Sequence, residues 1–402
     1  MVIYKLYGLF ISLISKLLKS GIGLVAFLKL KTGLYRKVPL PDYDFDSLKA
    51  LWPYTPPYCV SNAFSRKEEA DIDLSICIPA FNAEKTILTL LEQIERQKTN
   101  YKIEVLIVND GSTDKTGELI GRFVAGRENY HLYHQGNAGL SAARNKAIDN
   151  SSGRYLTFID SDDEICDGFI ESLMSAATTN DADIVRGQYY SRHGSHIRLC
   201  GIVSSFAWGK VYRASLFDKI RFPEGYWFED MINSFLLTTL SEKTVDISVP
   251  VIIHNYVEGS LSKVQLSAVT YRSLEQLYLV MSLIEDYKTL GLTDEAYLHK
   301  RILHECSRLM VRRTERLDEV TKKQVFLACN KIFEENGIKA VEFSGVDRLF
   351  ADSIINKDYV AWKMAADYAV VYNRFFDIRA YDQSKERLSP TTHYSTRYKE
   401  MP

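Results

Sequence analysis

The chain has 402 residues, 46% of them hydrophobic and 25% charged, an ordinary folded composition with material for two domains or one large domain with appendages. A formal net charge of -1 excludes a global attraction to nucleic acid, and no nucleic-acid partner is expected. The cysteines, Cys59, Cys77, Cys166, Cys200, Cys306 and Cys329, form no C-x-x-C pair, which excludes a zinc site or disulfide framework and fits a reducing compartment.

Residues 1–41 contain Lys5, Lys16, Lys19, Lys29, Lys31, Arg36 and Lys37 and no acid. Ile3, Leu6, Tyr7, Phe10, Leu13, Ile14 and Leu17 recur at helical spacing, with Lys5, Ser12, Lys16 and Lys19 on the narrow opposite face. The uncharged runs 6–15 and 20–28 are too short to span a bilayer, and no cleavage site of a secretory signal is evident. The pattern reads as a basic amphipathic helix over residues 1–38 lying on the anionic inner face of the cell membrane, or else packed on protein. Residues 39–70 hold Pro39, Pro41, Trp52, Pro53, Pro56 and Pro57 and read as an irregular connector.

From Leu74 onward, short apolar runs alternate with helical stretches. Strands are expected at 74–78, 104–108, 131–134, 155–159 and from 183, with helices near 83–97, 113–124, 138–149 and 167–177. This order predicts an α/β fold with a mostly parallel sheet covered by helices on both faces. After about residue 263 the strand signals fade and helices are expected near 265–289, 294–317, 320–335 and 358–376. The expected organisation is therefore residues 1–70 as helix and connector, 71–263 as an α/β domain, and 264–402 as a helical region. The tail 383–402 is polar.

In such sheets ligands bind beyond the carboxyl ends of the strands. The runs there are Pro79-Ala-Phe81-Asn82-Ala-Glu84, Asn109-Asp110-Gly111-Ser112-Thr-Asp114, Gly136-Asn137-Ala-Gly139-Leu-Ser141-Ala-Ala-Arg144-Asn145, and Asp160-Ser161-Asp162-Asp163. Helix capping accounts for Asn82, Ser112 and Thr113. It does not account for Asp110 at a strand terminus, for Arg144 in a helix start, or for three carboxylates within four residues, which repel one another unless a cation sits among them. In extended backbone Asp160 and Asp162 project to one side, and Asp163 is expected to cap the next helix.

These four runs, in this order and spacing, resemble the family 2 glycosyltransferases with the GT-A fold, over about residues 74–263. Trp208-Gly-Lys210-Val-Tyr212-Arg213, Phe228-Glu229-Asp230 and Asn255-Tyr256-Val-Glu-Gly-Ser260-Leu-Ser262 continue the likeness, with Val257 and Glu258 where relatives often carry a basic residue. The resemblance implies a nucleotide-sugar donor held by Pro79, Phe81, Asn82, Glu84, Asp110, Gly111, Ser112, Asn137, Arg144, Asp160 and Ser161. Asp110 would accept the imide N–H of uracil or thymine, since a carboxylate only accepts. Asp162, with Asp160, would hold Mn²⁺ or Mg²⁺. Asp230, with Glu229 beside it, would be the general base. A single in-line displacement would invert the anomeric centre. Trp208, Trp227 and His254 are weaker acceptor-side or metal-side candidates, each equally open to a packing role.

The implied partners are a UDP-sugar or dTDP-sugar donor and a glycan or lipid-linked oligosaccharide acceptor in bacterial cell-surface polysaccharide assembly, at the cytoplasmic face of the membrane. The helical C-terminal region is open to use as acceptor site, lid or homodimer interface. The absence of a Q-x-x-R-W element weighs against a processive synthase, and Ile78-Pro79-Ala80-Phe81 is not the Gly-rich basic loop of a nucleotidyltransferase. The non-enzymatic alternative is a catalytically silent module of the same fold.

Overall fold

In the computed structural model, residues 25–26, 28–64, 71–256 and 271–372 are described. Of the amphipathic helix expected over 1–38, residues 1–24 and 27 lie outside them, as do 257–263 and the tail; 25–26 and 28–32 are helical, and 34–38 are not. The chain divides into two units. Of the described residues, one comprises 56–64, 71–256 and 282–293 and is built on a sheet. The other comprises 25–26, 28–55, 271–281 and 294–372 and is helical.

In the sheet unit, β1 (Leu74–Ala80), β2 (Ile103–Asp110) and β4 (Tyr155–Phe158) form because apolar and β-branched runs of four to eight residues suit a strand buried on both faces. β1 pairs in parallel with both β2 and β4, and β2 pairs in parallel with β3 (Tyr130–Gln135). Among the described residues the sheet runs β3-β2-β1-β4-β8-β6-β9-β5, with β7 added beside β6. The additional strands are β5 (Glu164–Ile165), β6 (Ile184–His193), β7 (His196–Ile202), β8 (Lys210–Arg213) and β9 (Thr244–Asn255). β8 is antiparallel to both β4 and β6, so the mostly parallel expectation holds for the first half, and the second half is mixed.

The crossover helices are α2 (Ile87–Glu95), α3 (Thr116–Val124), α4 (Leu140–Asn150) and α5 (Phe169–Asn180). α2 buries Ile87, Leu90, Leu91 and Ile94, the i, i+3, i+4, i+7 stripe of a helix on a sheet. α4 is different: Ala142, Ala143, Ala147 and Ile148 let it settle onto β1 and β2, and its polar Ser141, Arg144 and Asn145 are buried as well. The residues named as caps are not caps. α2 and α3 begin at Thr86 and Lys115 without side-chain capping bonds, and Asn82, Ser112 and Thr113 instead join one loop to another. Nor does Asp163 cap α5, whose N-cap is Gly168.

The helical unit contains a short α1 (Phe45–Leu51) inside the segment read as irregular connector, capped by Asp44. It also holds α7 (Glu295–Arg308), α8 (Glu319–Glu335), α9 (Gly345–Ile355), which the sequence reading missed, and α10 (Tyr359–Tyr372). α6 (Glu275–Thr289) supplies residues 275–281 to this unit. α7 ends in a π turn, Leu309–Arg313, and Asp294 and Asp318 cap α7 and α8. Among the described residues no helix is long and apolar enough to cross a membrane.

Candidate active site

Because β1 to β4 run parallel, their carboxyl ends open on one edge, and the four motif loops leave from it. Asn82, at φ 49°, accepts from Thr113 N at 2.8 Å and donates its own N–H to Ser112 Oγ at 3.0 Å. Glu84 accepts from Lys115 N at 3.1 Å. Gly111, at φ +68°, brings the backbone so near Asn137 that an added Cβ would lie 2.6 Å from Asn137 N, so only glycine fits this approach. Pro79 is buried in β1, whereas the Phe81 ring is exposed at the rim.

Asp110 is buried and holds the third loop. Its carboxylate accepts from Gln135 Nε2 at 2.8 Å, Ala138 N at 2.8 Å and Gly139 N at 2.9 Å. A carboxylate has about four acceptor directions, so one is left for a ligand donor.

Arg144 is the hub. Its side chain is 1% exposed, not a surface arginine. It donates to Asp160 Oδ1 at 2.9 Å and to Glu229 Oε1 at 3.0 Å, and lies 3.5 Å from Asp230 Oδ1. Its planar fork suits this division between two loops far apart in sequence. Burial opposes its charge, but Asp160, Asp230 and Glu229 outweigh that and hold it above the ordinary arginine range. The next residue, Asn145, locks the Phe222 backbone through both of its amide atoms, at 2.8 and 2.9 Å.

Asp230 follows Phe228, a bulky residue at φ 65°, a strained conformation of the kind that collects at working sites. Asp230 Oδ1 accepts from Ala207 N at 3.1 Å. Asn233, three residues on, accepts from Tyr212 Oη at 2.8 Å and donates to Asp230 O at 3.0 Å. Residues 231–240 form a helix interrupted by a π turn at Asn233–Leu237. Burial and the neighbouring Glu229 push the Asp230 carboxyl up to about 7, against the pull of Arg144.

The acidic run is a turn, not an extended segment, with Asp163 N donating to Asp160 O at 3.1 Å. The alternation argument for Asp160 and Asp162 therefore fails. Arg144 takes Asp160. Asp162 is pushed up to about 7 by burial and by the charges of Asp160 and Asp163. Asp163 is buried against β9, accepting from Asn255 N at 2.9 Å and meeting His254 Nδ1 at 3.0 Å. Burial alone would lower His254, but the bond to Asp163 raises it above its ordinary value. Ser161, also buried, accepts at its carbonyl from Thr86 Oγ1 at 2.8 Å. Among the described residues, no three His, Cys, Asp or Glu side chains converge as a metal cage.

Trp208, offered as an acceptor platform, is only 2% exposed. It is stacked between Phe206 (4.6 Å) and His254 (5.1 Å) and belongs to the packing. Trp227 is half-buried, edge-on to Phe228 at 6.3 Å. Sequence reading missed Gln135, Phe206 and Asn233. Of these only Asn233 had a signal, its helical i, i+3 spacing from Asp230.

Residues 75–217 match the Glycosyl transferase family 2 model. Over 223 residues the chain is 35% identical to the glycosyltransferase GlyA of Streptococcus pneumoniae, covering 48% of this chain and 32% of GlyA. It is 26% identical over 235 residues to the glycosyltransferase GlyG of the same organism, covering 51% of this chain and 78% of GlyG. The chain thus spans about a third of the length of the first relative. In fold it is similar to the crystal structure of S. aureus TarS 1–349 in complex with UDP-GlcNAc, with a TM-score of 0.56 at 18% identity, over 78% of this chain and 92% of that one. The sheet unit is a GT-A fold, and residues 75–217 within it match the family 2 glycosyltransferases.

Proposed function

We propose that the protein transfers one sugar from a UDP-sugar (or dTDP-sugar) to a glycan or lipid-linked acceptor, with inversion, using Asp230 as general base. The observation that carries this reading is the Arg144 hub, whose buried guanidinium ties Asp160 of the acidic turn to Glu229 and Asp230. Donor-side and acceptor-side chemistry need to lie within one bond length of sugar, and this fork couples them.

The diphosphate end belongs to the acidic turn. Asp162 and Asp160 are hard oxygen donors, and burial, with the charges of Asp160 and Asp163 beside it, raises the Asp162 carboxyl. This set fits Mn²⁺ or Mg²⁺, which needs one or two protein carboxylates when phosphate and water supply the rest. When bound, the ion would offset charge growing on the leaving diphosphate. The base end belongs to Asp230. A carboxyl near 7 is half-ionised at neutral pH and strong enough to take a hydroxyl proton as that oxygen attacks the anomeric carbon. Ala207 N and Arg144 hold its orientation. The uracil reading of Asp110 rests on its one remaining acceptor direction. TarS, a fold relative, has been crystallised with UDP-GlcNAc, which favours a UDP-sugar without choosing the sugar. Residues 1–38 would hold the enzyme against the cytoplasmic membrane face, near a lipid-linked acceptor, and the helical unit would serve the acceptor, a lid or a dimer contact.

The test is a thermal-shift screen of UDP- and dTDP-sugars with Mn²⁺, followed by UDP release with metal and with EDTA. Stabilisation by one donor and EDTA-sensitive release are expected. Stabilisation without release, under any acceptor, would leave the silent binding module in its place.

A further inference from the structure

The loop before β8 is held more firmly than a surface loop requires. Lys210 Nζ donates to Ser204 O at 2.8 Å and Asn233 Nδ2 to Ser205 O at 3.3 Å, and Tyr212 Oη, whose one proton is shared with Asn233 Oδ1, lies 3.0 Å from Ala207 O. Ala207 N donates directly to Asp230 Oδ1. Within this clamped loop Phe206 turns its ring outward, 36% exposed, one residue from the amide that orients Asp230. The ring is backed face to face by buried Trp208, at 4.6 Å and 7°, and edge-on by Tyr189 at 6.4 Å. Trp208 stacks in turn on His254, which bonds to Asp163 of the acidic turn.

A single exposed aromatic is ordinary on a protein surface. This one differs in being immobilised from below by a second ring and from the side by the loop's hydrogen bonds, and in its place beside the proposed base. Sugars offer faces of C–H groups, and an aromatic ring is the side chain whose flat apolar face matches them. We propose that Phe206 is the platform on which a pyranose ring of the acceptor stacks, a positioning contact that sets which hydroxyl meets Asp230. The inference rests on the reading of Asp230 as base. It assigns to Phe206 the role that the sequence offered to Trp208, and makes Trp208 the backing of that platform.

The experiment measures binding of methyl α- and β-glycosides of glucose, galactose and N-acetylglucosamine to the full chain by saturation-transfer NMR, with and without UDP and Mn²⁺. At least one glycoside is expected to bind. Phe206→Ala should weaken it about tenfold, Phe206→Tyr should restore it, and UDP affinity should be the same in all three proteins. A wild-type chain that binds none of the glycosides overturns the proposal, as does equal affinity in Phe206→Ala or a parallel loss of UDP. Glycoside binding that responds to Phe206 in a chain that ignores UDP would support the platform and count against the donor reading.

Discussion

Two acids, one in each unit, meet opposite fates. In the helical unit Glu305 accepts from Arg301 Nη2 at 2.8 Å and Gln276 Nε2 at 2.8 Å, with Arg308 4.0 Å away. Burial works to raise it, but Arg308, His304 and Arg301 overwhelm that and hold it well below the usual carboxylate range. In the sheet unit Asp230 shares one guanidinium with Asp160 and Glu229 and is pushed up to about 7. Burial works upward on both. What differs is the ratio of cations to carboxylates: a surplus makes a permanently charged strut, and a deficit makes a group poised to exchange a proton.

The sharpest way to break this contrast is Asp230→Asn, which should lower kcat about 10²–10⁴-fold and leave UDP binding by thermal shift unchanged. A matching loss of donor affinity would remove Asp230 from the base role. Glu305→Gln should do the reverse, costing about 3–5 kcal/mol in urea unfolding at pH 7 because Arg301, Arg308 and Gln276 lose the buried carboxylate they face. Since the folded pKa of Glu305 is depressed, its stabilisation is present above the unfolded value of about 4.3 and is lost as pH falls below it. The wild-type advantage should shrink accordingly in acid.

A smaller effect is the pH profile of kcat/KM, whose rising limb should centre near 7, the raised Asp230 value. A limb centred near 4 would mean that Arg144 alone governs the base. Smallest is the stability of Asp230→Asn. A raised folded pKa means that stability is greatest below the unfolded value of about 3.9 and declines as pH rises through about 7. At pH 8 the variant should therefore melt about 2–4 °C above wild type, and at pH 3.5 the two should coincide.

Much of the sheet unit was legible in the chain. The β1, β2 and β4 runs and the α2 stripe are one-dimensional signals, because burial on both faces or on one helical stripe writes a period into the sequence. β8 was not legible: Lys210–Arg213 is four residues with a charge at each end, and only its partners β4 and β6 make it a strand. The same holds for α9, whose Gly345 start gives a poor helix signal. In the site, Asp110, Arg144 and Asp160 were recognised by their place after strands, yet the partners of Asp110 and the burial of Arg144 required the fold. Trp208 could be read either as an acceptor platform or as packing, and Phe206 carried no signal; only packing shows that the Trp208 ring is covered and the Phe206 ring exposed.

By itself the sequence determined where strands end and which polar groups stand there, because strand alternation and loop chemistry are local. Tertiary structure alone decided the charge state of those groups. Asp230 and Asp160 lie 70 positions apart and share a partner only because one arginine from a third segment is buried between them. Electrostatic energy depends on distance in space and on exclusion of water, and neither is written in the order of residues.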